Sequence, residues 1–298
     1  MPAVIGPVAL ATCAQMPVEA NEAPLVEAFA RAGIDHRWAV WDDPAEDWSA
    51  FAGVLIRTTW DYTDRVEAFR SWVIAVDAVT TLWNPAPVVV WNSHKRYLAE
   101  LADRGVAVVP TRYLPVGTTA AERDLPDDGG HGFVVKPAES VGALGLSRWP
   151  ADATGRAGAV AAVDALHADG QDVLVQPLLP AVTDRGEFSL VLVDGQLSHT
   201  VRKVPTAGDI RSQPEWGAAL SRVRATAAQE ALAQAALDAA LDILGVDGAL
   251  LYARVDCVDH EGEPSLMELE LIEPDLYVGF DDGAADRVVA ALAARLGR

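Results

Sequence analysis

The chain has 298 residues, 51% of them apolar and 22% charged, with a net charge of −20 at pH 7. That balance excludes a disordered chain, and the acidic excess argues against a nucleic-acid surface, whose footprint is a basic stripe. The length allows one large domain or a few small ones, and an anionic ligand must be met by locally placed Lys and Arg against the overall field.

Cys13 and Cys257 are too far apart in sequence to suggest a disulfide framework. The apolar N-terminus from Met1 to Leu10 lacks a basic leader and reads as a first strand, Val4 to Thr12. There is no apolar run long enough for a membrane span, so a cytoplasmic soluble protein is expected.

A helix over Ala23 to Ala32 ends at Gly33, strands follow at Ile34 to Trp41 and Val54 to Ile56, and a helix runs from Asp64 to Val79. Such alternation predicts a small parallel sheet with helices on its faces. No GxGxxG follows the first strand, which argues against a dinucleotide site. Asn84-Pro85-Ala86-Pro87 is a break, followed by a short strand and a helix over Ser93 to Arg104. Pro115 to His131 reads as a loop, and strands, hairpins and a long helix come after it. Asp194-Gly195 marks a tight hairpin. Ala218 to Leu244 is helix-periodic and closes at Gly245. A final helix begins near Ala284. The fold class expected is α/β followed by α+β. The divisions are an α/β domain over 1–88, a linker helix and small subdomain over 89–179, and a C-terminal subdomain over 180–298.

The most informative segment is the acidic hairpin. A strand carrying Asp256 is followed by Asp259 to Pro264, a turn, and then by a strand carrying Glu268 and Glu270. Strand side chains alternate faces, so Glu268 and Glu270 point the same way. A hairpin centred at Gly262 sets Asp256 opposite Glu268. Three carboxylates so close need a counter-charge, and a hard divalent cation such as Mg²⁺ is the simplest. The competing reading is an acidic solvent face with Arg254 and Glu270 as a surface ion pair.

Lys136 ends the apolar strand from Phe133 and precedes a small-residue loop with Gly142 and Gly145, a combination suited to phosphate. The alternative is a strand-end lysine reaching solvent. Gln176, Pro177, Leu178 and Leu179 form a strand end and connector whose backbone suits a flat heteroaromatic ring, although an ordinary strand end also accounts for them. With a two-residue loop at 194–195, Glu187 is expected across from Arg202. Arg211 lies in a loop, Gly208 to Gln213, as a bidentate anion binder or a surface residue. Arg57, Thr58 and Thr59 stand where the third strand ends, the edge at which α/β sheets bind ligands. A substrate carboxylate at Arg57 competes there with an Arg57–Asp61 ion pair. No Ser, Cys or His nucleophile arrangement is visible, and the six histidines lack zinc-ligand spacing.

Taken in order, these elements resemble the ATP-grasp superfamily in its glutathione-synthetase-like branch. The carriers are Lys95, Val135-Lys136-Pro137, Gln176-Pro177-Leu178-Leu179, Gly186-Glu187, Gly208-Asp209-Ile210-Arg211 and Asp256 with Glu268-Leu269-Glu270. The resemblance spans the chain and implies an ATP-grasp fold behind an N-terminal pre-ATP-grasp domain. It further implies that Lys95 and Lys136 contact ATP phosphates, that 176–179 reads adenine, and that Glu187 holds the ribose. Lys203 and Arg211 are implied at the phosphates and the acyl-phosphate region, as catalytic residues. Asp256, Glu268 and Glu270 are implied ligands of two Mg²⁺ ions, with Mn²⁺ as an alternative, although relatives usually carry Asn at the position of Glu270. Simple alternation puts Glu187 and Lys203 on opposite faces, so a bulge is required if both roles hold.

The segments 57–62 and 268–274 are similar to those of D-cycloserine-forming ligases. This implies ATP-dependent cyclisation of O-ureido-D-serine through an acyl phosphate, in antibiotic biosynthesis. The same fold also serves intermolecular amino-acid or peptide ligases, and a nucleotide-binding regulator is a third reading. The partner expected is a small amino-acid-like substrate, with no nucleic acid and no membrane; oligomeric state, a homodimer included, stays open.

Overall fold

A computed structural model describes residues 6–15 and 22–297. The chain opens with β1 (Val8–Thr12), α1 (Ala23–Arg31), β2 (His36–Val40), β3 (Gly53–Thr58), α2 (Val66–Asp77) and β4 (Leu82–Trp83). These strands form a parallel sheet in the order β2-β1-β3-β4. β1 and β3 are buried along their whole length, as near-continuous apolar runs between two helical layers should be. The expected start of the first strand at Val4 and Ile5 falls outside the described residues.

After Pro85 the structure departs from the sequence reading. The segment expected as a strand is α3 (Ala86–Asn92), and α4 (Tyr97–Asp103) follows after a break. Pro87 sits in the first turn of α3, where a missing N–H is tolerated. The small sheet comprises β5 (Arg112–Leu114), β6 (Phe133–Pro137), β7 (Ser147–Trp149) and β8 (Val173–Pro177), antiparallel in the order β5-β8-β6-β7. α5 (Ala153–Ala168) packs on it, capped by Asp152 accepting from the Gly155 N–H.

A short α6 (Ala181–Asp184) leads into the large sheet. It is built from β9 (Glu187–Val193), β10 (Gln196–Val204), β11 (Ala219–Val223), β12 (Tyr252–His260) and β13 (Glu263–Glu270), in the order β11-β10-β9-β12-β13. α7 (Ala227–Leu244) is shorter than expected, because Ala219 to Val223 pairs with β10 as an edge strand. Thr226 and Gln229 form its capping box, and Gly245 closes it in the left-handed conformation. α8 (Ala284–Arg295) ends the fold. One face of the large sheet packs on α7 through Leu190, Leu192, Ala253 and Val255. The other face packs at one end on α1 and α8 through Val191, Val193 and Val201, and at its other end carries polar groups. Among the described residues no helix is long and apolar enough to cross a membrane.

Candidate active site

Two hairpin registers decide the polar face. In the β12–β13 hairpin, Glu261 and Gly262 are the two loop residues, both with positive φ (56° and 90°), as a primed two-residue turn requires. That turn alone would set Asp256 against Met267, but a register shift beyond Cys257 restores the pairing of Asp256 with Glu268. Arg254 then faces Glu270, as the sequence suggested.

The β9–β10 hairpin turns at Asp194 and Gly195, again with positive φ (51° and 73°). Counting back from that turn gave Glu187 opposite Arg202. The structure corrects this: a bulge at Ser198 shifts the register by one, and Glu187 pairs with Lys203. A one-residue shift exchanges the two faces of a strand. Lys203 therefore turns into the polar face and Arg202 away from it, where its Nε donates to the Arg185 carbonyl.

The result is a network of charge, buried at Lys203, Asp256 and Arg254 and half-buried at Glu268 and Glu270. Lys203 Nζ lies 2.5 Å from Glu187 and 3.3 Å from Asp256. Ser189, paired with Asp256 across β9–β12, donates to its carboxylate at 2.6 Å. Arg254 Nε lies 3.0 Å from Asp256 and its Nη2 pairs with Glu270. Arg254 is 6% exposed, so its pair with Glu270 is no surface ion pair. From the side, Lys95 Nζ reaches Glu268 at 3.0 Å and also donates to the Ser140 carbonyl. The Lys95 N–H bonds the Ala138 carbonyl, which ties it to the loop after β6.

These contacts set the protonation balance. Burial works against the charge on Lys203, but Asp256 and Glu187 outweigh it and hold its pKa above the usual lysine range. Burial likewise opposes ionisation of Asp256, and Arg254 and Lys203 overcome it, so this carboxyl is held below its ordinary value. Glu268 is held down in the same way by Lys95 and Lys136. Lys136 itself is lowered, chiefly by burial. Glu270 behaves oppositely: burial, with the neighbouring Glu268 and Asp256 carboxylates, outweighs Arg254 and raises it to about 7.

Asp256, Glu268 and Glu270 each offer a carboxylate oxygen within 4.8 Å of the others. An all-oxygen donor set fits a hard divalent cation. Glu270 is raised chiefly by burial, with the Glu268 and Asp256 carboxylates adding to it against Arg254 and Lys203.

The carboxylates line a cavity of about 730 Å³ between the large and small sheets. Lys95, Lys136, Gln176, Pro177, Leu178, Leu179, Glu187, Lys203, Arg211, Asp256, Glu268 and Glu270 all border it. Leu178 N–H donates to the Gly132 carbonyl at 2.7 Å, and the Gln176 amide donates to Thr111 Oγ1 at 2.8 Å, which fixes the connector after β8. Arg211 is bonded through Nε and Nη2 to Asp209 and stacks 3.6 Å from the Trp216 ring centroid. Trp216 Nε1 donates to the Gly142 carbonyl at 3.2 Å, joining the Arg211 loop to the glycine loop across the cavity mouth.

Arg57, Thr58 and Thr59 do not border the cavity. Arg57, 1% exposed, pairs with Glu22 at 2.6 Å and donates to the Pro274 carbonyl at 3.1 Å. Thr58 bonds Thr12 at 2.7 Å, and Thr59 is fully buried. Asp61 pairs with Arg65 and accepts from Trp41, not from Arg57. The motif anchors the segment after β13, while the residues just beyond it, Trp60 and Tyr62, reach the cavity wall. Sequence reasoning also missed Ser189, Trp216, Glu273 and Tyr277. Ser189 shares the alternation of Glu187 and was legible; the others sit in loops without a period. His199, buried, hydrogen-bonds Ser198 and the Leu276 carbonyl and does not border the cavity.

The cycloserine biosynthesis protein DcsG of Streptomyces lavendulae is 35% identical over 98% of this chain and 99% of its own length. The chain belongs to the DcsG family. The N-terminal domain description of D-cycloserine synthetase DcsG matches residues 8–84. The crystal structure of D-cycloserine synthetase DcsG superposes with a TM-score of 0.88 at 34% identity, covering 98% of this chain and 100% of that one. A D-alanine–D-alanine ligase of Bacillus anthracis complexed with ATP superposes at 0.65 with 14% identity over 98% of both chains, which shows the shared ATP-grasp fold.

Proposed function

We propose that this chain, an ATP-dependent C–N ligase of cycloserine biosynthesis by family and fold, closes the ring of O-ureido-D-serine to D-cycloserine. The observation that carries the site assignment is the convergence of three carboxylates with Lys95, Lys136 and Lys203 on one cavity. Asp256, Glu268 and Glu270 would hold two Mg²⁺ ions, with Mn²⁺ as a substitute. The metal, when bound, supplies charge neutralisation at phosphate oxygens. Arg254, bonded to Glu270, offsets the extra charge of a glutamate where relatives usually carry asparagine.

Lys95 and Lys136 approach from the small-domain side and Lys203 from the large sheet, so phosphates between the sheets meet cations on both sides. The connector from Gln176 to Leu179 offers backbone to the adenine, and Glu187 to the ribose. A substrate carboxylate attacks the γ-phosphate to give an acyl phosphate, and the oxygen-bound nitrogen of the same molecule displaces phosphate. Loss of the carbamoyl group to water completes the change. Catalysis in this scheme is positioning and electrostatics, with no protein nucleophile. The Trp216–Gly142 contact links the Arg211 loop to the glycine loop at the mouth, where closure of these loops would shield the acyl phosphate until the ring has formed.

The test is ADP formation against O-ureido-D-serine, D-serine, D-alanine and small dipeptides, with the product identified by mass. D-cycloserine from O-ureido-D-serine alone is the expected result. ADP release that requires a second amino substrate would instead make the chain an intermolecular ligase, and ATP binding without turnover a regulator.

A further inference from the structure

Glu273 lines the same cavity but stands apart from the carboxylate cluster. It is 7% exposed, and among the described residues no other residue's donor or cation bonds its carboxylate. Its neighbours are provided for: Glu187 has Lys203, Glu268 has Lys95, and Glu270 has Arg254. Its oxygens also fall outside the cluster of potential metal ligands, so it does not enlarge that cluster.

The position is built in by the backbone on either side. Trp60 Nε1 donates to the Glu273 carbonyl at 3.4 Å, Tyr252 Oη to the Ile272 carbonyl at 2.6 Å, and Arg57 to the Pro274 carbonyl at 3.1 Å. These bonds fix the backbone from which the Glu273 side chain enters the cavity wall. The Glu273 carboxylate has its own backbone N–H and the fields of Lys95 and Arg254, but no ion pair, and a buried carboxylate without one is costly to keep ionised. Burial, with Glu270 nearby, pushes this group up to about 8. A cation brought by a ligand would relieve that cost.

We propose that Glu273 is a substrate-binding residue that holds the α-ammonium group of the amino-acid substrate. This rests on the ligase reading above and sharpens it. In the ring closure the α-amine takes no part, yet as a free base it is a nucleophile toward the acyl phosphate of a second molecule. A carboxylate paired with it keeps it protonated and without a lone pair, which favours cyclisation over peptide-bond formation.

The experiment compares wild type with Glu273→Gln and Glu273→Ala on O-ureido-D-serine and on its analogue lacking the α-amine, reading KM for each and for ATP. The expected result is that wild type prefers the amine-bearing substrate. Both variants should raise its KM by about 10- to 100-fold, the scale of a charged hydrogen bond. The ATP KM and the analogue's KM should stay within about two-fold. An unchanged KM for O-ureido-D-serine, or an equal loss on both substrates, overturns the proposal. If wild type forms no ADP with O-ureido-D-serine, the ring-closing function fails by itself. Glu273 is then judged by calorimetric binding of D-serine, which carries the same ammonium. Binding lost in Glu273→Gln supports the assignment; equal binding, or none to wild type, overturns it.

Discussion

Lys203 is the residue whose removal tests the network most directly. It is 2% exposed and lies 2.5 Å from Glu187 and 3.3 Å from Asp256. At an effective dielectric near 20 those separations correspond to ~6–7 and ~5 kcal/mol of attraction, against several kcal/mol for desolvating the ammonium. Lys203→Met removes the cation and leaves Glu187 and Asp256 buried, with Arg254 as the remaining counter-charge to Asp256. Breaking a buried pair in this way costs ~3–5 kcal/mol. With an unfolding entropy near 2.1 cal/mol/K per residue, this lowers the Tm of the metal-free chain by ~5–8 °C. The assay is a thermal melt of wild type, Lys203→Met, Glu187→Gln and the double variant. Because the double variant no longer buries the uncompensated Glu187 charge, it should recover at least ~1 kcal/mol of the Lys203→Met loss. A Lys203→Met melt within about 1 °C of wild type, or simple additivity of the two changes, would refute the paired placement.

Three further outcomes follow from the same geometry. Glu268→Gln should abolish ADP formation while the circular-dichroism spectrum is kept, and a fully active variant would return these carboxylates to an acidic wall. Trp216→Phe keeps a ring under Arg211 but removes the bond to Gly142, whereas Trp216→Ala removes both; kcat/KM should drop by about 2- to 5-fold further in Trp216→Ala than in Trp216→Phe, the equivalent of ~0.5–1 kcal/mol for an exposed cation–π contact, and equal values in the two variants would mean that the stack does not position Arg211. Glu270 has a folded pKa near 7 against 4.5 for the ordinary group, so the folded state binds the extra proton and its contribution to stability is lost as pH rises from about 4.5 to 7. In the absence of metal, Glu270→Gln should therefore match the wild-type Tm at pH 4.5 and exceed it at pH 8, with added Mg²⁺ closing the gap at pH 8. A gap independent of pH would contradict the shift.

Much of the site was legible because strands impose a period of two. Glu268 and Glu270 fell on one face from the alternation alone; Asp256 opposite Glu268 and Arg254 opposite Glu270 were expected from a hairpin centred at Gly262, and the structure reaches those pairings through a register shift beyond Cys257. The pairing of Glu187 with Lys203 was not legible, since nothing about Ser198 in the sequence announces the bulge that turns Lys203 inward. The Arg57 motif misled for a related reason. Its place at a strand's carboxyl edge is set by chain order, but its pairing with Glu22 and Pro274 joins residues 35 and 217 positions away.

The sequence by itself determined the α/β-then-α+β order, the tight turn at Asp194-Gly195, the hairpin connection over Asp259 to Pro264, and the set of carboxylates and lysines available for a phosphate-and-metal site. These depend on local backbone preference and side-chain alternation, which act over a few residues. Only the tertiary structure decided which charges are compensated: Lys95 on Glu268, Lys203 between Glu187 and Asp256, Arg254 on Glu270, and for Glu273, among the described residues, no ion pair and only its own backbone N–H. Compensation depends on distance and burial, and both are fixed only when three sheets are brought against one cavity.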